Sequence, residues 1–288
     1  MARQTSQQPD ERVTDERVTD AAAQKRIAHW SGVAPTYDIH RPAAPAVLPA
    51  LLTQLAETPR PALVVDLGSG TGLSTLLWAD VAQEVVGVEP NDAMRAQAER
   101  RAARERPDAA HLRFIGATAQ RTGLPDGCAD IVTVSQALHW MEPTATFAEV
   151  ARILRQGGVF AAYDTTFPPM VNWEAWRTFI DFMGNVYRIA EQLGTHVGPE
   201  GWDKAGHLER MRASGQFRHV EEIAVHSVEQ GDAERFIGLT VSMSSVLATG
   251  AIPAEALDLA AYEQAIRAAL PAEPMPWYFS YQVRLGVR

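Results

Sequence analysis

Short apolar runs alternate with amphipathic stretches after Pro61, and this alternation is typical of βαβ units built around a parallel sheet. Strands of such a sheet are buried on both faces and therefore carry near-continuous apolar residues. The pattern predicts strands over 63–67, 84–88, 112–115, 131–135 and 159–163. It predicts helices over 72–81, 93–106 and 144–154, the last ended by Gly157 and Gly158 in a left-handed stop.

The rest of the chain shows a different pattern. A helix is predicted over 45–55, aromatic residues at helical spacing predict a helical insertion over 167–212, and further helices are predicted over 233–249 and 254–270. Alternating residues predict strands over 217–226 and 277–287. The predicted fold is a Rossmann-like, doubly wound α/β domain with a mostly parallel seven-stranded sheet, an antiparallel last strand and a helical lid. The predicted divisions are a flexible tail (1–20), cap helices (21–60), a cofactor-binding core (61–166), the insertion (167–212) and a segment that completes the sheet (213–288).

Composition narrows the class of partner. The chain has 288 residues and a net charge of -9, which disfavours binding to a phosphate backbone. The single cysteine, Cys128, excludes an internal disulfide and argues against a cysteine-cluster metal site. No apolar stretch reaches the length of a membrane span. We expect a cytoplasmic protein, monomer or homodimer, that acts on a small molecule and uses no metal, nucleic acid or membrane.

A glycine-rich turn, VVDLGSGTG, places Gly68, Gly70 and Gly72 between a predicted strand and a predicted helix. Glycines at such a turn permit positive φ and let a ligand approach bare backbone. Glu89 ends the next strand, where a carboxylate can accept hydrogen bonds from both ribose hydroxyls. Because Leu73 occupies the place of the third glycine of a dinucleotide fingerprint, the pattern favours a nucleoside without phosphates over NAD.

VVDLGSGTG followed by VVGVEPNDAM resembles the cofactor site of the class I S-adenosylmethionine-dependent methyltransferases. The resemblance implies that S-adenosylmethionine is the cofactor and S-adenosylhomocysteine the product. It implies that Asp66, Gly68, Ser69 and Gly70 hold the methionine part, Glu89 the ribose, and Pro90, Asn91 and Met94 one side of the adenine. It also places Thr118, Ala119, Gln120 and Ser135 around the cofactor, with Gln120 standing where family members commonly carry an acid.

A narrower resemblance is to the trans-aconitate-methyltransferase-like subgroup, which pairs a Tyr and an Arg-Pro near the N-terminus with a His-Trp after the fourth strand. Tyr37, Arg41 and Pro42 match the first part, and His139 with Trp140 the second. This resemblance implies that Arg41 meets the methionine carboxylate.

His139 is the candidate base if the acceptor is a hydroxyl, with a helix-capping histidine as the alternative. Trp140, Phe167, Met170 and Trp173 are the predicted acceptor-site residues. Oxygen, nitrogen and carbon acceptors stay open, with oxygen favoured because of His139. Only two lysines among 26 basic residues suggest a GC-rich bacterial source and a role in secondary metabolism. The alternatives are a non-catalytic cofactor-binding protein and an NAD-dependent oxidoreductase.

Overall fold

The computed structural model describes residues 39–194, 201–243, 247 and 252–288. Within them lies one seven-stranded sheet of order β3-β2-β1-β4-β5-β7-β6. All neighbouring pairs among β1 to β5 are parallel, and β7 runs antiparallel to both β5 and β6. The strands are β1 (Leu63–Leu67), β2 (Glu84–Val88), β3 (Leu112–Ile115), β4 (Ala129–Ser135), β5 (Leu154–Thr165), β6 (His219–Gly231) and β7 (Met275–Val287). The predicted sheet with its antiparallel last strand is therefore confirmed.

The central strands form because both of their faces are buried. Val64 and Val65 are consecutive in β1 and fully buried, yet they belong to two separate apolar clusters. Successive side chains of a strand point to opposite faces, so the two clusters lie on the two sides of the sheet. This arrangement explains why the strands read as continuous apolar runs instead of alternating ones.

Seven α-helices can be bounded in the described residues. They are α1 (Leu48–Leu55), α2 (Asp92–Glu105), α3 (Pro143–Ile153), α4 (Trp173–Gln192), α5 (His207–Ala213), α6 (Ala233–Met243) and α7 (Leu259–Ala269). Helix α3 ends at Ile153 and β5 begins at the next residue, so the predicted glycine stop at 157–158 does not end the helix. The predicted tail and the first cap helix lie outside the described residues.

The predicted helix over 72–81 is wrong. Only a short 3-10 helix, Thr75–Trp78, is present there. The hydroxyls of Ser74 and Thr75 donate to buried Asp66 at 2.7 and 2.6 Å. Side-chain hydrogen bonds of this kind compete with regular helix formation, and they hold the segment against the end of β1.

Helix α4 belongs to the core of one sheet face. Its apolar side buries Ala175, Phe179, Phe182, Val186 and Ala190, and Phe182 stacks on Tyr262 of α7 with ring centroids 4.0 Å apart. The α4 helix is therefore a packed part of the domain. Among the described residues of the predicted insertion, Phe167 alone lines the cavity described below.

Candidate active site

A cavity of about 200 Å³ opens at the carboxyl ends of the parallel strands, beside the point where the strand order reverses between β1 and β4. Ligands of open α/β sheets bind at such switch points. Most of the predicted site residues line it: Arg41, Gly68, Ser69, Gly70, Glu89, Pro90, Met94, Thr118, Ala119, Gln120, Ser135, Trp140 and Phe167. Asp66, Asn91, His139, Met170 and Trp173 do not line it, and Tyr37 lies outside the described residues.

The glycine loop presents bare backbone to the cavity. The N–H groups of Gly68 and Ser69 donate to the carbonyl of Val88 at 2.8 and 3.1 Å, which ties the loop to the end of β2. Gly70 has φ +55°, and a Cβ built there meets nothing within 4 Å. The Gly70 backbone therefore faces open space that a ligand can fill, and the left-handed conformation favours glycine.

The carboxylate of Glu89 is oriented by two backbone donors. Gly70 donates to Oε2 at 2.9 Å and Asn91 donates to Oε1 at 2.8 Å. Burial raises the pKa of Glu89, and these two N–H groups together with Arg95 oppose that rise. Each carboxylate oxygen retains a further lone pair, so a ribose diol can donate to both.

The hydroxyl of Ser69 also fits a polar ligand. Its Oγ is buried in the loop and has no hydrogen-bond partner among the residues that the structure describes. Buried polar atoms are nearly always paired in folded proteins, so a partner from a bound molecule is expected here. Open backbone at Gly70, an oriented acid and an unpaired hydroxyl together suit a nucleoside that carries a polar chain.

Asp66 lies beneath the glycine loop instead of in the cavity. It is fully buried, and its carboxylate accepts hydrogen bonds from the hydroxyls of Ser74, Thr75 and Thr133 at 2.6 to 2.8 Å. Burial is the main reason that its pKa is raised, and the three hydroxyls oppose the rise. The contact expected between Asp66 and the methionine part is therefore replaced by a structural role: Asp66 fastens the loop to β1 and β4.

The wall formed by Thr118, Ala119 and Gln120 is held by a carboxylate on α3. Glu149 accepts hydrogen bonds from the backbone N–H and the hydroxyl of Thr122 at 2.7 and 2.5 Å, and from Arg152 at 2.8 Å. The Arg152 hydrogen bond is the main reason that the pKa of Glu149 is lowered to about 2.

Asn91, predicted as an adenine contact, caps α2 by accepting from the N–H of Met94 at 3.0 Å.

His139 is turned away from the cavity. Its ring lies against that of Trp140, with centroids 4.2 Å apart and the ring planes tilted by 49°, and its Nδ1 lies 4.0 Å from Oδ1 of Asp164 at the end of β5. Burial and then the nearby Lys204 ammonium lower the pKa of His139 to about 3, so the ring is neutral at pH 7. Since the imidazole does not reach the cavity, the role of general base predicted for His139 is not supported by its position.

The acceptor side of the cavity is mainly apolar. Trp140 and Phe167 line it as predicted, whereas Met170 and Trp173 are 64% and 70% exposed on the surface, where Trp173 stacks on Trp176. Pro42, part of the predicted Arg-Pro match, also lines the cavity. So do several residues that were not predicted from the sequence: Ala44, Thr71, Leu73, Ser74, Gln136, Ala137, Met141 and Tyr281. Most of these adjoin predicted site residues in the chain, but Tyr281 comes from the middle of β7 and carries no local signal.

The segment 40–44 is fastened over the cavity by contacts from distant elements. Arg41, which lines the cavity, donates to the carbonyl of Ser242 near the end of α6 at 2.7 Å. The hydroxyl of Tyr281 donates to the carbonyl of Ala43 at 2.8 Å, and the N–H of Ala43 donates to Glu229 at 2.9 Å. Arg41 is therefore placed beside the glycine loop by tertiary contacts.

A metal-binding group and a membrane-spanning helix are two further features that would bear on the class of site. In the described part of the chain, no group of three or more His, Cys, Asp or Glu side chains is arranged to hold a metal ion. No helix that the structure describes is long and apolar enough to cross a membrane.

Comparison with known proteins agrees with this geometry. A family described as "Methyltransferase domain" matches residues 65–162. A "Probable S-adenosylmethionine-dependent methyltransferase" of Saccharomyces cerevisiae is 31% identical over 208 residues, which are 72% of this chain and 68% of that protein. A demethylmenaquinone methyltransferase of Beutenbergia cavernae is 35% identical over 141 residues, 49% of this chain and 55% of that protein.

Structural comparison extends the match over most of the chain. A solved structure named "Putative Type II Methyltransferase", from Anaeromyxobacter dehalogenans, superposes with a TM-score of 0.62 at 25% identity. The superposition covers 86% of this chain and 97% of that one. The shared fold therefore extends well beyond the residues that the family model matches.

The cavity residues fit the cofactor that this family uses, and the family match over residues 65–162 includes the glycine loop and Glu89. S-adenosylmethionine supplies, when bound, a methyl group on a sulfonium sulfur. An NAD-dependent oxidoreductase and a non-catalytic protein are thereby set aside as alternatives. The chain belongs to the class I S-adenosylmethionine-dependent methyltransferases, and it is an enzyme of that family.

Proposed function

We propose that the enzyme methylates an oxygen atom of a small, largely apolar acceptor, and that this oxygen is already an anion when it binds. Carboxylates and acidic phenols or enols are the acceptor classes that meet this description. The observation that carries the proposal is the composition of the cavity wall: the acceptor side is apolar, and the described residues that line it offer no general base.

The apolar part of the wall defines the body of the acceptor. Trp140, Met141, Phe167 and Ala44 all line the cavity. Such surfaces favour burial of an aliphatic or aromatic group at roughly 25 cal/mol for each Å² removed from water. A sugar or a polyamine would lose its hydration against this wall without gaining partners.

None of the titratable groups in the described cavity wall is placed or charged to act as a general base. Glu89 is held by two backbone N–H groups at the ribose position, and Arg41 is a permanent cation. Tyr281 donates its hydroxyl to Ala43, and burial raises its pKa to about 12. None of these three is suited to remove a proton from an alcohol at pH 7.

An acceptor that is already ionised needs no such base. As the bond between the acceptor oxygen and the methyl carbon forms, the methyl–sulfur bond breaks and its electron pair stays on sulfur. No proton is transferred in this exchange. The protein then contributes alignment, exclusion of water and a donor for the acceptor oxygen, which are the main demands of an in-line methyl transfer. Tailoring of a bacterial secondary metabolite is the biological context that we propose.

Methyl transfer to a matched set of ten-carbon acceptors tests the proposal. The full-length protein is incubated with methyl-labelled S-adenosylmethionine and with decanoate, decanol or decylamine, and cinnamate serves as an aromatic carboxylate. We expect labelled ester from decanoate or cinnamate and none from decanol, with a rate that does not change between pH 6 and 9. Labelling of decanol or decylamine in preference to both carboxylates would refute the proposal.

A further inference from the structure

Gln136 holds an unusual backbone conformation at the edge of the cavity. It is the first residue after β4, it lines the cavity, and its φ is +55°. This left-handed conformation is unfavourable for a non-glycine residue, and such strain is often found at functional sites. The N–H of Gln136 donates to the carbonyl of Tyr163 in β5 at 2.9 Å, which maintains the conformation.

The side chain of Gln136 lies beside an ion pair whose carboxylate is buried. Lys204 Nζ lies 2.8 Å from Oδ1 of Asp164 and 3.5 Å from Oε1 of Gln136. Asp164 is 5% exposed, and its other oxygen accepts from buried Arg284 at 2.9 Å. Lys204 is thus held by a carboxylate that is itself fixed, and the ammonium faces the oxygen end of the Gln136 amide.

The nitrogen end of that amide is available to a ligand. Gln136 Nε2 has two N–H donors, and it makes no hydrogen bond to the residues that the structure describes. The Tyr281 hydroxyl on this side of the cavity already donates to the carbonyl of Ala43.

We infer that Gln136 donates a hydrogen bond from Nε2 to the ionised oxygen of the acceptor, and that Lys204 is a positioning residue that fixes the orientation of this amide. The inference rests on the proposed function, because it needs an anionic acceptor. It assigns acceptor recognition to a residue pair separated by 68 positions in the chain.

Two physical effects give Lys204 this role. An amide whose oxygen faces an ammonium has its nitrogen directed elsewhere, whereas a flipped amide would turn its oxygen toward the acceptor anion and repel it. The ammonium also polarises the amide, which strengthens the donor at its far end. An anion that enters an apolar cavity needs such a donor, because an unpaired buried charge is strongly disfavoured.

The test compares five forms of the full-length protein: wild type, Gln136→Ala, Lys204→Met, Lys204→Arg and Asp203→Ala. Asp203 is an exposed neighbour that accepts from the N–H of Ala205, so its variant controls for simple loosening of this segment. Affinity for S-adenosylhomocysteine is measured by calorimetry, and KM and kcat are measured with decanoate and cinnamate.

We expect Gln136→Ala and Lys204→Met to raise the acceptor KM by about 10- to 100-fold, the range for lost hydrogen bonds to charged groups. Lys204→Arg should recover most of the loss. Asp203→Ala should match wild type, and affinity for S-adenosylhomocysteine should stay within threefold in all five forms.

An unchanged acceptor KM in Gln136→Ala or Lys204→Met, with wild type active on a carboxylate, overturns the inference while the proposed function stands. Equal losses in Lys204→Met and Asp203→Ala also overturn it, because loosening of the segment would then be the cause. A wild-type protein that binds S-adenosylhomocysteine but methylates decanol or decylamine in preference to both carboxylates overturns the proposed function, and the inference falls with it.

Discussion

Replacement of Glu89 by alanine tests the contact that we propose between its carboxylate and the ribose of the cofactor. The carboxylate is 8% exposed and accepts one backbone N–H on each oxygen, so its two free lone pairs face the cavity in a fixed orientation. Each hydrogen bond from a ribose hydroxyl to this carboxylate contributes about 1.5–3 kcal/mol. Loss of both should cost about 3–6 kcal/mol, which lowers the affinity for S-adenosylhomocysteine by about 10²- to 10⁴-fold.

The variant also leaves the N–H groups of Gly70 and Asn91 without their acceptor, so the free energy of unfolding should fall by about 1–3 kcal/mol. Glu89→Gln is a poor conservative substitute, because its amide nitrogen must face one of these two donors. Glu84→Ala is the matched control, since Glu84 is the exposed first residue of the same strand, β2.

Calorimetric titration with S-adenosylhomocysteine measures the affinity, and urea unfolding shows whether each variant is folded. If folded Glu89→Ala binds S-adenosylhomocysteine with an affinity within threefold of that of Glu84→Ala, the assignment of Glu89 to the ribose is refuted. A glutamate that only supports the loop would produce that result, because the loss would then appear in stability and not in affinity.

Three further predictions use the same assays. Gly70→Ala and Gly123→Ala both place a Cβ at positive φ in open space, so both variants should lose about 1–2 kcal/mol of stability. Only Gly70→Ala should weaken the binding of S-adenosylhomocysteine, and equal affinities in the two variants would contradict the loop geometry. In Gly238→Ala the new Cβ would lie 2.3 Å from the ring of His40, so the segment beside Arg41 should be displaced and the affinity for S-adenosylhomocysteine should fall. Adding His40→Ala to this variant should restore the affinity. A Gly238→Ala variant with wild-type affinity would show that the segment does not contribute to the site. The pKa of His139 is about 3 when folded and 6.5 when unfolded, so its contribution to stability is complete above pH 6.5 and decreases as the pH falls toward 3. Between pH 7 and pH 5, the free energy of unfolding in urea should therefore fall by about 2 kcal/mol less in His139→Gln than in wild type. Equal decreases in the two proteins would show that the ring is not buried in its neutral form.

The local pattern of apolar and polar residues was sufficient to predict the sheet. The strands predicted over 63–67, 84–88 and 112–115 coincide with β1, β2 and β3. A buried parallel strand is apolar on both faces, and short apolar runs between glycines and polar turns report that burial directly. The two strands β6 and β7 were predicted shorter than they are: β6 continues to Gly231 and β7 begins at Met275.

Errors arose where a polar residue's partner is distant in the chain. Ser74 and Thr75 lie in a segment with an amphipathic pattern, but their hydroxyls bond to Asp66 and no α-helix forms. His139 follows the fourth strand, where catalytic residues of such sheets often lie, yet its ring packs toward Asp164. Local spacing places a residue at the end of a strand but does not show which way its side chain points.

The sequence by itself determined the sheet and the cofactor end of the site, because the glycine loop, Glu89 and the turn at 118–120 each follow a strand whose position is set by local hydrophobic pattern. Only the tertiary structure decided the acceptor end. Arg41, Phe167 and Tyr281 come from three distant segments, and Lys204 reaches Gln136 across 68 positions. Pockets of this kind form from residues that meet only after folding, and the burial and hydrogen-bond partners that orient such side chains are properties of the packed chain.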